Sequence, residues 1–422
     1  MNVLLDTYAL RVLEYLKKFP DPRTGKNIMY PFAQLSMTAL AAFYSRAPSL
    51  KRFLDNVEKY RGDKGVGILM SSLSFGKRGV KPKERVPTDN HIRKQLDGLD
   101  PEYLFEPILD ILRGILSEAP ADFSCLGRTV VFPYATKHYS SRKMRCSRCV
   151  SRSDASIRGK RSKVEHFHSY LGFSLVRAKD DKLAPQLPPE YVTPRDYPGY
   201  VPGEIYEPRD ESDRGPAPEL PTLLARCLDK RGFRFETANP LFALAGEMGT
   251  LEALSALKPT FPYLLVLNGE ERERLRREIP PERLEAPDPR PGAEERPAGE
   301  HPGGERFFAG WENDPADLRD LAPDLREAGI ADLKRPAYLL KELIPPENRE
   351  EDIVLTDLSP TVLELRELLP VVEKVKKLNV PEKMRGAGYG PVKRFGHGNE
   401  NLAEVFAGLN ILSLNLFCLG EL

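Results

Sequence analysis

Cysteine is scarce in this chain of 422 residues, with five in all. That excludes a disulfide framework as the basis of the fold, because disulfide-built scaffolds carry several bridges in far fewer residues. Cys125, Cys227 and Cys418 sit singly in apolar or helical surroundings and are expected to be buried thiols. Tryptophan occurs once, and no apolar run reaches the ~18 residues of a membrane span, so no membrane partner is expected. Residues 1–18 lack the pattern of a secretory signal, since charges interrupt their apolar positions, and a cytoplasmic location is the expectation. Charge of one sign is lacking too: 63 Lys plus Arg stand against 62 Asp plus Glu, a formal net charge of +1. Net charge alone therefore selects no partner.

What is present is patterned. Leu4, Leu5, Tyr8, Ala9, Val12, Leu13 and Leu16 recur at helical spacing, and Pro20 and Pro22 then break the chain. Residues 32–44 form an Ala-rich helix apolar nearly all round. Thr88-Asp89-Asn90 reads as a helix start, with Asp89 or Asn90 as cap. Residues 103–116 make a further amphipathic helix. After Cys125 the pattern changes to short apolar strands at 129–132, 167–176, 233–235 and 263–267, with helices at 223–230 and 251–257 between them. Residues 280–306 are dense in Pro, Gly and Glu and read as a solvated linker or insertion. Helical patterns return at 317–327, 337–343, 362–378 and 401–417. The fold class is α/β, α+β overall, in four parts: a helical N-terminal domain over 1–125, a first part of an α/β core over 126–279, an irregular or disordered insertion over 280–350, and C-terminal helices over 351–422 that complete the core.

Two constellations carry chemistry. Residues 137–163 hold ten Lys or Arg and one acidic residue, Asp154. Lys137, Arg142, Lys143, Arg145 and Arg148 from this run are candidates for phosphate contacts in double-stranded DNA, joined by Lys393 and Arg394. The competing reading is a solvated charge run. Within the same stretch, Cys146-x-x-Cys149 followed by His166-x-His168 offers two thiolates and two imidazoles, a donor set suited to tetrahedral Zn²⁺. Free thiols and ordinary strand histidines are the alternative. Phe395-Gly396-His397-Gly398 reads as a tight turn into the last helix, with Asn399 as a cap.

Five segments in order carry a resemblance: FPDPRTGKNIMYP (19–31), RVPTDNHIRKQLDGLDPEYLF (85–105), GRTVVFPYATKHYSSRKMRCSRC with EHFHSYLG (127–149 and 165–172), LPPEYV (187–192), and GYGPVKRFGHGNENLAEVFAGLNIL (388–412). Together they resemble the bacterial insertion-sequence transposases grouped as ISNCY. The resemblance implies an RNase H-like core, binding to transposon ends, a possible homodimer, and Mg²⁺-dependent strand cleavage and transfer by an Asp/Asp/Glu triad. The chain departs from the family where it matters most. In its catalytic slots the alignment places Tyr134, Asn239 and Lys377, with Asn379 as the other choice for the third. Two-metal phosphoryl transfer needs hard, anionic oxygen ligands. A phenol ionising near pH ~10, an amide and an ammonium are poor replacements. Two functions thus stand side by side: a transposase of DNA-mediated transposition, and a transposase-derived DNA-binding protein without catalysis. Carboxylates outside the slots that would restore a metal pair are Glu165, Glu236 and Glu247.

Overall fold

The computed structural model describes most of the chain. Residues 1–2, 22, 24–27, 29, 62–63, 72–86, 144, 155–162, 178, 207–217, 232–238, 258–260, 279–315, 318–335, 341–353, 357–361 and 391–400 are outside the described set.

The helical periodicity at the start of the chain becomes α1 (Val3–Lys17), followed by α2 (Phe32–Tyr44), α3 (Leu50–Asp55), α4 (Val57–Arg61), α5 (Lys64–Ser71), α6 (Asp89–Leu96) and α7 (Phe105–Glu118). Helix α2 is buried along all but its last residue, as its lack of a polar face requires. The cap of α6 is neither Asp89 nor Asn90 but Thr88, whose hydroxyl accepts from His91 N at 3.3 Å.

The sheet begins at β1 (Ser124–Cys125), β2 (Arg128–Ser141), β3 (Val150–Asp154), β4 (Lys163–Leu175) and β5 (Glu190–Val192). It continues through α8 (Leu220–Arg231), β6 (Pro240–Leu244), α9 (Leu251–Ala256), β7 (Tyr263–Val266) and α10 (Gly269–Glu278). Five strands form its centre in the order β3-β4-β2-β6-β7. The first three pair antiparallel, and β6 and β7 add on in parallel to β2 and to each other. Strands β8 (Ala316–Asp317), β9 (Pro336–Leu340) and β10 (Val354–Thr356) extend the far side antiparallel. The chain is thus mixed α/β.

Two sequence expectations change here. Strand β2 does not turn after Phe132 but runs on through Ser141. Strand β6 pairs with it only through Val131, so Pro133 lies where β2 has become an edge on that side, a position that tolerates a missing N–H. Residues 336–340 are a strand rather than helix, because pairing with β10 outweighs the helical spacing of their leucines. The strand expected at 233–235, the helix at 317–327 and the insertion at 280–306 lie outside the described residues, apart from 316–317, which pair with β9 as a strand.

Among the described residues, three helices close the chain: α11 (Val362–Lys376), α12 (Val380–Gly386) and α13 (Leu402–Gly420). The expectation that no apolar run reaches a membrane span is corrected at α13, which is long and apolar enough by length and composition alone, with mean hydropathy 1.8; 94% of that apolar window is buried inside the fold. It packs on α2, α7 and α1 and reaches β2, so the N-terminal helices and the sheet share one core. The Asp97 carboxylate, from the end of α6, accepts from Asn401 N and Leu402 N at 3.1 and 3.0 Å, supplying the cap that α13 lacks from its own Asn401.

Between β5 and α8, Asp196 accepts from Thr193 N (2.7 Å) and Oγ1 (2.8 Å) and from Arg226 (2.5 Å). Burial pushes its carboxyl up, but the hydrogen bonds from Arg226 and Thr193 outweigh this, and it lies below the usual carboxylate range. A depressed folded pKa contributes stability that is present above the unfolded pKa of ~4 and is lost as pH falls through the folded value. Asp196→Asn should therefore cost about 2 kcal/mol at neutral pH. In urea unfolding from pH 7 to 3, the gap between variant and parent should close at the acid end.

Candidate functional site

Strand β4 brings the sequence-derived candidates into one frame. Alternate residues of a strand share a face, so His166, His168, Tyr170, Gly172 and Ser174 form one row. Helix α13 lies against this row: Glu404 meets His168 near one end and Asn415 meets the backbone of Gln186, beside Ser174, near the other.

At the first end, the loop after β2 folds its CxxC pair back onto His168. Cys146 Sγ and Cys149 Sγ are 3.7 Å apart, and His168 Nε2 lies 3.3 and 3.2 Å from them. Cys146 N donates to Cys149 Sγ and Arg148 N to Cys146 Sγ, both at 3.3 Å, which curls the loop around the sulfurs. On the far side of the imidazole, Nδ1 is 3.1 Å from Glu404 Oε1. The Cys149 thiol is raised well above its ordinary value by its hydrogen bond with Cys146 and by burial. Burial lowers His168, but hydrogen bonds with Cys146 and Glu404 outweigh it and bring the imidazole up to about 9. Cys146, Cys149 and His168 together could hold a metal ion.

His166 is not part of this group. Two residues along a strand put its ring ~6.7 Å from that of His168, and its Nδ1 meets Ser151 Oγ at 2.8 Å instead. The bulge at Lys137–Tyr139 admits His138, whose ring stacks on Tyr170 at 5.3 Å and stands edge-on to His168.

The row's other end holds Tyr134, the first of the three substituted slots. It is buried; its hydroxyl donates to Gln186 Oε1 at 2.9 Å and touches Met384 Sδ of α12 at 3.5 Å. Gln186 is fixed in turn by Ser174, Ala184 and Asn415. Burial and the neighbouring Tyr170 hold the phenol well above its ordinary pKa, so it offers no anionic oxygen. The ring lies over Gly172, where a Cβ would come within 2.5 Å of Tyr134 Cζ. Gly172→Ala should thus cost about 1–3 kcal/mol by overpacking, whereas the same change combined with Tyr134→Ala should cost less than the two separately, measured by a double-mutant unfolding cycle.

The other two slots do not join Tyr134. Asn239 immediately precedes β6, and its carbonyl accepts from Thr129 N. Tyr134 is five residues farther along β2, roughly 17 Å away at strand rise. The register of β2 with β6 makes Ala245 level with Tyr134, so the assignment of Asn239 is corrected on geometry. Lys377 follows α11, mostly exposed, and pairs with Glu373 at 3.5 Å. Asn379 caps α12, accepting from Glu382 N at 3.2 Å. Among the other carboxylates, Glu165 is held by Ser140 (2.5 Å), Arg152 (3.0 Å) and Lys137 (3.7 Å). Glu247 is exposed beyond β6, and Glu236 is outside the described residues. Among the described residues no three carboxylates gather as ligands, and the side chains around Tyr134 do not fit Mg²⁺.

The cations of the DNA candidate set divide. Arg142, Lys143, Arg145 and Arg148 lie on the loop that carries the cysteines, and all four are exposed. Arg145 also donates to the Gly203 carbonyl, and Arg148 stands 3.9 Å from Glu404. Lys137 lies over the Phe167 ring, 4.1 Å from its centre, besides facing Glu165. Lys393, Arg394 and His397 are outside the described residues. Glu404 and Gln186 were not anticipated from the sequence; a buried acid in an otherwise apolar helix was the only available signal for Glu404.

No protein-family model matches the chain, and no curated protein matches it significantly. The class is therefore what fold and site define: a mixed α/β protein whose central sheet carries a Cys-Cys-His group able to hold a metal ion.

Proposed function

We propose that this chain is a transposase-family DNA-binding protein with an RNase H-like core, that it binds duplex DNA at transposon ends, and that its cleavage site is closed by side chains. The observation that carries the reading is the position of Tyr134. It occupies the slot where the resemblance expects the first metal-binding aspartate, on the central strand of a sheet in which three antiparallel strands are followed by two parallel ones. The phenol is packed against Gln186, Tyr170 and Met384, leaving neither a charge nor an open coordination position there. The same strand runs on into the loop of Arg142, Lys143, Arg145 and Arg148, so the cations and the closed site lie at opposite ends of one row on the sheet.

The ion proposed for the Cys146/Cys149/His168 group is Zn²⁺, for which these three donors fill three of the four tetrahedral positions. A tetrahedral zinc with Zn–S of ~2.3 Å spaces two sulfurs by about 3.8 Å, and the sulfurs here are 3.7 Å apart. Zinc would fasten the cationic loop to β4, presenting its arginines from a fixed base. The function is tested by fluorescence-anisotropy titration of a duplex and of its separated strand at several salt concentrations. Tighter, salt-dependent binding of the duplex is expected; equal or absent binding of both would overturn the reading.

A further inference from the structure

We propose that Glu404 is the positioning residue of the metal centre: its carboxylate takes the Nδ1 proton of His168 in a hydrogen bond and so presents Nε2 to the ion. This rests on the zinc reading above. The two ring nitrogens are already sorted by their surroundings. Nε2 faces both sulfurs at 3.2–3.3 Å, and Nδ1 faces Glu404 Oε1 at 3.1 Å. Both side chains are almost wholly shut off from solvent, at 1% and 3% exposure. A buried carboxylate is costly unless it is paired. Here Oε1 serves His168 and stands near Arg148, while Oε2 is buried with no hydrogen-bond partner among the described residues.

A carboxylate kept at that cost behind a ligating imidazole fixes its tautomer and orientation and strengthens it as a donor. The backbone of Glu404 is itself held, since Tyr191 donates to its carbonyl at 2.8 Å. The consequence is long-range. Glu404 belongs to the last helix, 236 residues from His168 along the chain. Through Glu404 the ion ties three separate parts of the fold: the cationic loop, β4 and α13.

The alternative is a His–Glu ion pair that supports the fold and is indifferent to metal. The two are separated by preparing the unaltered protein, Glu404→Gln and Glu404→Asp, stripping metal, and titrating Zn²⁺ against a competing chromophoric chelator. Co²⁺ absorption is recorded in parallel. Positioning predicts one zinc per chain in the unaltered protein, a 10–100-fold weaker affinity for Glu404→Gln, shifted Co²⁺ ligand-field bands, and partial recovery in Glu404→Asp. Equal zinc affinity in Glu404→Gln and the unaltered protein would overturn the proposal while leaving the metal reading intact. No stoichiometric zinc in the unaltered protein would overturn the metal reading itself. Variants that fail to fold even with saturating zinc would make Glu404 a residue of the fold and also overturn the positioning role.

Discussion

Replacing Cys149 with serine, or extracting the metal with a strong chelator, should release the cationic loop and lower the melting temperature by on the order of 10 °C. The magnitude follows from linkage. An ion held at 1,000 times its dissociation constant adds about 4 kcal/mol, and each kcal/mol moves the melting point of a large domain by roughly 2–4 °C. The protein has a continuous apolar core of its own, so it should soften rather than unfold as an isolated zinc finger does. Uptake should also release protons. In the metal-free protein the Cys149 thiol is raised by Cys146 and by burial, and the His168 imidazole is held up to about 9 by Cys146 and Glu404, so both are protonated at neutral pH. Both protons must leave for the ion to bind, and zinc affinity should therefore fall as pH falls. Calorimetry in buffers of different ionisation enthalpy would measure this; zinc binding without proton release would contradict the assignment of ligands.

The second large effect concerns DNA. Changing Arg142, Lys143, Arg145 and Arg148 together to alanine should reduce duplex affinity by an order of magnitude or more at low salt. It should also flatten the plot of log K against log salt by up to ~0.9 for each phosphate that is no longer neutralised. Arg145 and Arg148 also hold the loop, through Gly203 and Glu404. Alanine at those two should act partly by loosening its base, and at Arg142 and Lys143 mainly through the missing charge. Anisotropy titrations of each pair across a salt series would separate the two contributions. An unchanged slope in the quadruple variant would remove this loop from the interface.

Much of the architecture was legible because it depends on periodicity. The apolar spacing from Leu4 to Leu16, the Ala-rich run of α2 and the apolar stretch of α13 each matched a helix within a few residues. The metal group was half legible: CxxC spacing pointed to Cys146 and Cys149, but spacing along a strand could not say which of His166 and His168 would face them. That choice is made by the register of β4 against β2 and β3, a tertiary property. Glu404 and Gln186 were hidden because their partners are distant in sequence. The placement of Asn239 failed for a related reason. A gap-free alignment fixes neighbours along the chain, whereas the level at which β6 enters the sheet is fixed by pairing with Thr129 to Val131. Segments such as 337–343 misled because leucine spacing alone does not separate a helix from a short paired strand.

The corrected geometry also changes what a repaired enzyme would require. Carboxylates at 134, 239 and 377 would not meet, and Tyr134→Asp would bury a charge between Tyr170 and Met384. The central claim is a DNA-binding protein closed to two-metal cleavage. It is tested most directly by incubating unaltered, zinc-loaded protein with a supercoiled plasmid and with a transposon-end duplex in Mg²⁺, scoring bound and nicked DNA in the same samples. The account predicts salt-sensitive binding with no Mg²⁺-dependent nicks above the protein-free control. Nicking that requires Mg²⁺ and scales with protein would contradict it.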